Sequence, residues 1–165
     1  MPEPAPIAVD TTVLLWWAED SGRKTVARLH EKFPGSRIIV TPASIAELEC
    51  CLGQEKHPDL PRLARTVFAS LLETWKFQVV APAAFVPDAV SRHVAALVRA
   101  NLLPPACRLP AVSIVEAALQ GSRLLLSWDE DLTTMRGARL TKLRKTLRES
   151  GLVELTLMTP VEAVR

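Results

Sequence analysis

Short, wholly apolar runs alternate along the chain with stretches whose apolar positions recur every three to four residues. Ile7–Val9 is the first run; a helical stretch, Thr11–Ala18, follows Asp10 at once. Ser21 is the expected cap of a helix that puts Val26, Leu29 and Phe33 on one face and stops at Pro34-Gly35. Ile38–Val40 reads as a second buried strand. Thr41-Pro42 is a helix start, with a hydroxyl at the cap and proline at the first helical position; Ile45, Leu48 and Leu52 form its stripe. Beyond a polar break at His57-Pro58-Asp59, Leu63, Val67, Leu71 and Trp75 predict another helix, and Phe77–Ala81 a third strand. Pro87 opens a helix bearing Val90, Val94 and Leu97, which ends near Leu103-Pro104-Pro105. Pro110 opens the next, with Ile114 and Ala118 inward and a stop at Gly121. Leu124–Leu126 is the fourth strand. A basic helix carrying Leu140, Leu143 and Leu147 then precedes Val153–Met158, whose alternation suits a half-buried edge strand.

Strands separated by helices, with solidly apolar inner strands, predict an α/β fold with a mostly parallel sheet covered on both faces. No repeat, low-complexity tract or linker divides the 165 residues, so a single domain over 1–165 is expected.

Composition narrows the chemistry. Cys50 and Cys51 are adjacent on a helical pattern and Cys107 has no CxxC partner, so reduced, buried thiols are expected rather than a disulfide framework. His30, His57 and His93 are scattered and offer no zinc spacing. No stretch is long and apolar enough to span a membrane, and Met-Pro-Glu-Pro-Ala-Pro has neither the basic nor the apolar region of a secretory signal. A cytoplasmic protein is the expectation.

Acidic residues recur where strands end. Asp10 follows the first strand, Asp129 and Asp131 follow the fourth, and Glu47 lies one to two turns into the helix after the second. Ligands of open parallel sheets bind beyond the carboxyl ends of the strands. Carboxylates gathered there repel one another unless a cation sits between them, and hard oxygen donors suit Mg²⁺ or Mn²⁺. Taken singly, Asp10 reads equally well as a helix cap, whereas Glu47 is more often a solvated helix residue and Asp129–Asp131 more often a solvated loop. Only their combination points to a metal site.

At that combination the chain resembles the PIN-domain nucleases. The similarity is carried by Ile7-Ala8-Val9-Asp10-Thr11-Thr12-Val13-Leu14-Leu15, by Thr41-Pro42-Ala43-Ser44-Ile45-Ala46-Glu47-Leu48 and by residues 114–132, with Leu155-Thr156-Leu157-Met158-Thr159-Pro160 similar to the closing strand. The resemblance implies a three-layer α/β/α sandwich and a ribonuclease using Mg²⁺ or Mn²⁺. It implies Asp10, Glu47 and Asp129 as catalytic metal ligands, Asp131 as a supporting acid, and Thr11 and Ser127 as groups orienting carboxylates or water. A homodimer and a toxin working against a protein antitoxin are further implications.

One position departs from that pattern. The family places an acid where this chain has Ala111, in Leu109-Pro110-Ala111-Val112-Ser113-Ile114. Glu116 lies five residues on, about 500° of helix rotation and so about 140° away from the required direction; a surface or helix-edge position is expected for it. The alternative to an active nuclease is therefore a PIN-like module that binds RNA or protein without cleaving. A phosphoacceptor receiver domain is excluded, because Ala81-Pro82-Ala83-Ala84 supplies no aspartate after the third strand.

The net charge of +2 conceals segregation: residues 1–60 hold 6 basic and 9 acidic groups, whereas residues 133–165 hold 7 and 3. The excess lies in one helix, where Arg136, Arg139, Lys142 and Lys145, with Arg144 and Arg148, are candidates for holding an RNA backbone.

Overall fold

The computed structural model describes residues 3–19, 21–104 and 108–165; Cys107 and the second proline of the Pro104-Pro105 stop lie outside them. Five parallel strands, β1 (Ile7–Val9), β2 (Ile38–Val40), β3 (Gln78–Val79), β4 (Leu124–Leu126) and β5 (Thr156–Met158), form one sheet in the order β3-β2-β1-β4-β5. Pairing is in register, with Val9 opposite Val40 on one side and Leu126 on the other.

The period-two alternation of the strands separates two apolar cores. Ile7, Val9, Ile38, Val40 and Leu126 face α1 (Thr11–Ala18), α2 (Arg23–Lys32), α3 (Pro42–Leu52) and α4 (Asp59–Ser70), which contribute Trp17, Leu29, Leu48 and Val67. Ala8, Ile39, Leu125 and Leu157 face the other way, against α5 (Ala89–Arg99), α6 (Arg108–Leu119), α7 (Glu130–Thr133) and α8 (Gly137–Glu149). A short α9 (Pro160–Ala163) closes the chain with a capping box between Thr159 and Glu162. Helices on both faces of a parallel sheet make a three-layer α/β/α sandwich, in keeping with the covered parallel sheet expected from the pattern and the layering implied by the resemblance.

Local differences have local causes. The α2 cap is Gly22, not Ser21, and no side chain bonds there. The α4 helix ends at Ser70, so Trp75 reaches the core from a turn that finishes at Lys76 with φ 57°. The third strand shrinks to two residues, because this edge strand pairs only with β2 and Pro82 starts a 3-10 turn soon after it. Only Thr156–Met158 of the predicted 153–158 strand joins the sheet, although Leu155 is also buried. Cys50 is exposed and Cys51 half-buried, contrary to the expected burial: Cys50 lies off the Ser44–Leu48 face of α3, and Cys51, in the last turn, is only partly covered by the first core. Among the described residues no helix is long and apolar enough to cross a membrane.

Candidate active site at the β1/β4 switch point

Strand order reverses at β1, with β2 to one side and β4 to the other, and this is where an open parallel sheet leaves a crevice beyond its carboxyl edge. Asp10 stands at that edge. Its backbone N–H still pairs with Leu126 O across the β1/β4 boundary, and its side chain turns back to cap α1 by accepting from Val13 N at 3.2 Å. Cap and strand-end acid are therefore one residue. The same Oδ1 accepts from Thr12 Oγ1 at 2.6 Å, while Oδ2 accepts a short hydrogen bond from the Ser127 hydroxyl.

Ser127 is fully buried just past β4. Its N–H donates to Met158 O, anchoring it to the end of β5, and its Oγ accepts from Asp129 N at 2.9 Å. Trp128 N donates to Thr12 Oγ1 at 2.9 Å. One backbone turn after β4 is thus bound to the carboxylate after β1 through two hydroxyls. Asp129 caps the short α7, accepting from Asp131 N at 2.8 Å; Asp131 itself is exposed.

Glu47 enters from α3. Thr11 Oγ1 donates to Glu47 Oε2 at 2.6 Å and lies 3.3 Å from Ser44 O. Ser44, fully buried, reaches back to Val9 O at 3.4 Å. The first turns of α1 and α3 are in this way tied together below the crevice. Asp10 is only 6% exposed. Burial pushes its carboxyl up to about 6; the bonds from Ser127, Thr12 and Val13 work against the rise and the negative charge of Glu47 adds to it.

Glu116 is not at the surface. It is 6% exposed, and its Oε2 accepts from Ala43 N at 2.9 Å, in the first turn of α3. Its side chain points away from the direction of Ala111, as the five-residue offset requires, but that side of α6 is occupied by protein. Residues 113–118 of α6 are buried all the way round, with α5 and α3 both packed on the helix. A side chain turned away from the core meets the unpaired N–H groups of α3 instead of water. Burial raises the Glu116 carboxyl above its ordinary value. The Ala43 amide opposes this, as does the nearby Thr41 hydroxyl, which forms no hydrogen bond of normal geometry. Ala111 is fully buried among the apolar residues of the second core.

The fold brings Asp10, Thr11, Glu47, Ser127 and Asp129 to one edge of the sheet, and it adds Thr12, Ser44 and Glu116, which sequence reasoning left out of the site. The Thr11-Thr12 pair directly after Asp10 was the available signal for Thr12. The basic residues behave differently. Arg136 bonds Met135 O and faces Glu162, Arg139 bonds Leu102 O, Arg144 bonds Leu155 O and Thr156, and Lys145 and Arg148 face Glu149 and Glu154. Because α8 rises about 1.5 Å per residue, Arg136 and Arg148 lie roughly 18 Å apart along it. Arg136 neighbours the end of β5, through Met158 and Glu162.

The donors at this edge are all hard oxygens. Among the described residues no three His, Cys, Asp or Glu side chains converge closely enough to cage a metal ion. That set fits an ion such as Mg²⁺, which is commonly held by one or two carboxylates with water and substrate phosphate, rather than an ion needing an all-protein cage. No protein-family model matches the chain, and no curated protein is similar to it.

Proposed function

We propose that the chain is a metal-dependent ribonuclease of the PIN type, with Asp10 at its centre. The observation that carries this reading is a buried carboxylate at the sheet's switch point, pushed up to about 6 with a second carboxylate, Glu47, contributing to the rise. A fold with no use for a cation there would gain by replacing Asp10 with a neutral cap. Asp10 and Glu47 would hold Mg²⁺ or Mn²⁺, with Asp129 adding an oxygen and Asp131 supporting from the rim. The bound ion would neutralise a substrate phosphate and make water a better nucleophile near neutral pH.

The remaining work belongs to the chain's own groups. Ser127 and Thr12 occupy one lone pair on each Asp10 oxygen and so fix the plane of the carboxylate. Thr11 holds Oε2 of Glu47. At pH 7 Asp10 is mostly ionised, and modest acidification protonates it and weakens its hold on a cation.

The test is Mn²⁺-dependent cleavage of RNA by the purified protein, abolished by EDTA and by Asp10→Asn. Cleavage that survives both treatments overturns the assignment. A toxin role, a protein antitoxin, a homodimer and a cytoplasmic location belong to the same proposal; a light-scattering mass of one chain would remove the dimer.

Ala111 favours a second reading, a module that binds RNA or protein without cleaving. Its methyl group is packed in the core where the resemblance calls for an acid. This reading expects no cleavage and weak metal affinity, so calorimetry showing tight Mn²⁺ binding separates the two.

A further inference from the structure

Two of the four tryptophans, Trp17 and Trp75, are buried in the first core against Phe77. The other two meet at the candidate site. Trp16 and Trp128 stand edge to face, with ring centroids 5.2 Å apart and planes at 72°. Trp16 packs against the first core, whereas Trp128 belongs to neither core and is 37% exposed.

Trp128 is also held in place from below. Its backbone N–H donates to Thr12 Oγ1, the same hydroxyl that donates to Asp10, and the next residue is Asp129. A large ring is therefore braced on one side by an aromatic neighbour and fixed at its backbone to the buried acid of the site. Core packing does not account for it. Its chain neighbours Asp129, Glu130 and Asp131, half-buried to exposed, give it a polar, acidic rim, unlike the apolar centre of a protein–protein interface. What suits an isolated, immobilised ring in such a setting is a flat aromatic ligand. Beside a site reading a phosphodiester, that ligand is a nucleobase of the same strand.

We propose that Trp128, braced by Trp16, is a stacking platform for an unpaired base of single-stranded RNA bound at the Asp10 site. The proposal rests on the ribonuclease reading for its substrate and adds what that reading leaves open, a residue that holds a base. Base faces inside an A-form duplex are covered by their neighbours, so a tryptophan can stack only on a base that is unpaired or splayed out. Every base has a π-face, so the platform selects single strands with little preference among sequences.

The experiment measures binding apart from cleavage. An eight-nucleotide RNA of mixed sequence, and the same strand annealed to its complement, are titrated in Mn²⁺ against the full chain carrying Asp10→Asn. The same background then carries Trp128→Ala or Trp128→Phe, and thermal melts confirm that each variant is folded. Trp128→Ala is expected to weaken single-strand binding about 5- to 150-fold, the range for losing one stacked base, with Trp128→Phe recovering a large part. Single strands are expected to bind more tightly than duplex.

Equal affinities for the parent and Trp128→Ala overturn the proposal and leave a protein partner as the ring's occupant. Equal affinities for single strand and duplex overturn it as well. If the Asp10→Asn parent binds no RNA while the unaltered chain cleaves it, the platform fails and the nuclease reading stands. If Trp128-dependent binding appears but the unaltered chain never cleaves, the nuclease reading fails and the platform stands.

Discussion

The Ser127 hydroxyl donates to Oδ2 of Asp10, joining the residues that follow the two strands on either side of the sheet's switch point. Both are buried, so the pair sets the charge state of the site as well as its shape. A carboxyl raised in the folded state binds its proton more tightly there than in the unfolded chain. Stability from this group is therefore full below pH 4 and is lost as pH rises towards 6. Asp10→Asn removes that loss. It is expected to raise stability at pH 7 by about 2–3 kcal/mol and to flatten the pH dependence between about 4 and 6, as read by urea denaturation at several pH values. A less stable Asp10→Asn at pH 7 would mean that the buried charge is compensated within the protein alone.

Ser127→Ala acts in the opposite sense. It deletes the donor to Asp10 and the acceptor for Asp129 N–H, leaving a buried carboxylate with one bond fewer. A loss of about 1–3 kcal/mol at pH 7 is expected. The Asp10 carboxyl should also titrate above its present value of about 6, visible by carboxyl-carbon NMR.

Glu116 gives a sharper contrast between charge and hydrogen bonding. Its Oε2 satisfies Ala43 N–H, one of the free donors at the start of α3. Glu116→Gln keeps an acceptor and removes a charge that burial disfavours, so it should be nearly neutral at pH 7. Glu116→Ala leaves the amide unpaired beside a cavity and should cost about 1–3 kcal/mol. Equal losses in the two variants would show that the charge, through the α3 dipole, matters more than the bond.

The fate of Glu116 marks where sequence reasoning stopped. Strands β1, β2 and β4 were legible to the residue because each is a continuous apolar triplet, and Asp10 and Glu47 were found from their distance to a strand end. Those are local signals. Whether α6 has a solvent face depends on α3, which is far back in the chain, and on how the preceding helix α5 folds against it, and no periodicity within α6 reports either. The same holds for α8. Its charges were visible as a run, but their pairing with Glu149, Glu154 and Glu162, and with the carbonyls of Leu102 and Leu155, is fixed by tertiary placement.

That pairing divides the basic helix into separate roles. Arg139 reaches a backbone carbonyl at the end of the α5 loop, so Arg139→Ala should lower the melting temperature whether or not RNA is present. Lys142 is exposed and makes no ion pair or hydrogen bond among the described residues. If it touches a phosphate, Lys142→Ala leaves stability unchanged and reduces the slope of log affinity against log salt by about 0.7, the value per phosphate for a single strand. An unchanged slope removes α8 from the RNA-binding surface at that point.

Gly22 is required for space rather than for backbone angle. Its φ of −87° and ψ of −25° suit any residue. A β-carbon added there, however, would lie 2.3 Å from Trp16 O and 2.8 Å from Trp17 Cα, where carbon contacts are comfortable only at about 3.5–4.0 Å. The obstructing atoms are the backbone of α1, which cannot swing aside as a side chain would. Relief requires α2 to back away from α1, and the turn of α1 that would be disturbed carries Trp16, the brace of Trp128, and Trp17, at the centre of the first core. Gly22→Ala should therefore cost at least about 1–3 kcal/mol and alter the fluorescence of the tryptophans together. Gly53→Ala is the matched control, with φ −93° and its nearest neighbour, Cys50 O, at 3.8 Å. It should leave both the melting temperature and the spectrum close to those of the parent. Similar melting curves for the two variants would show that the α1–α2 turn yields to an added methyl group.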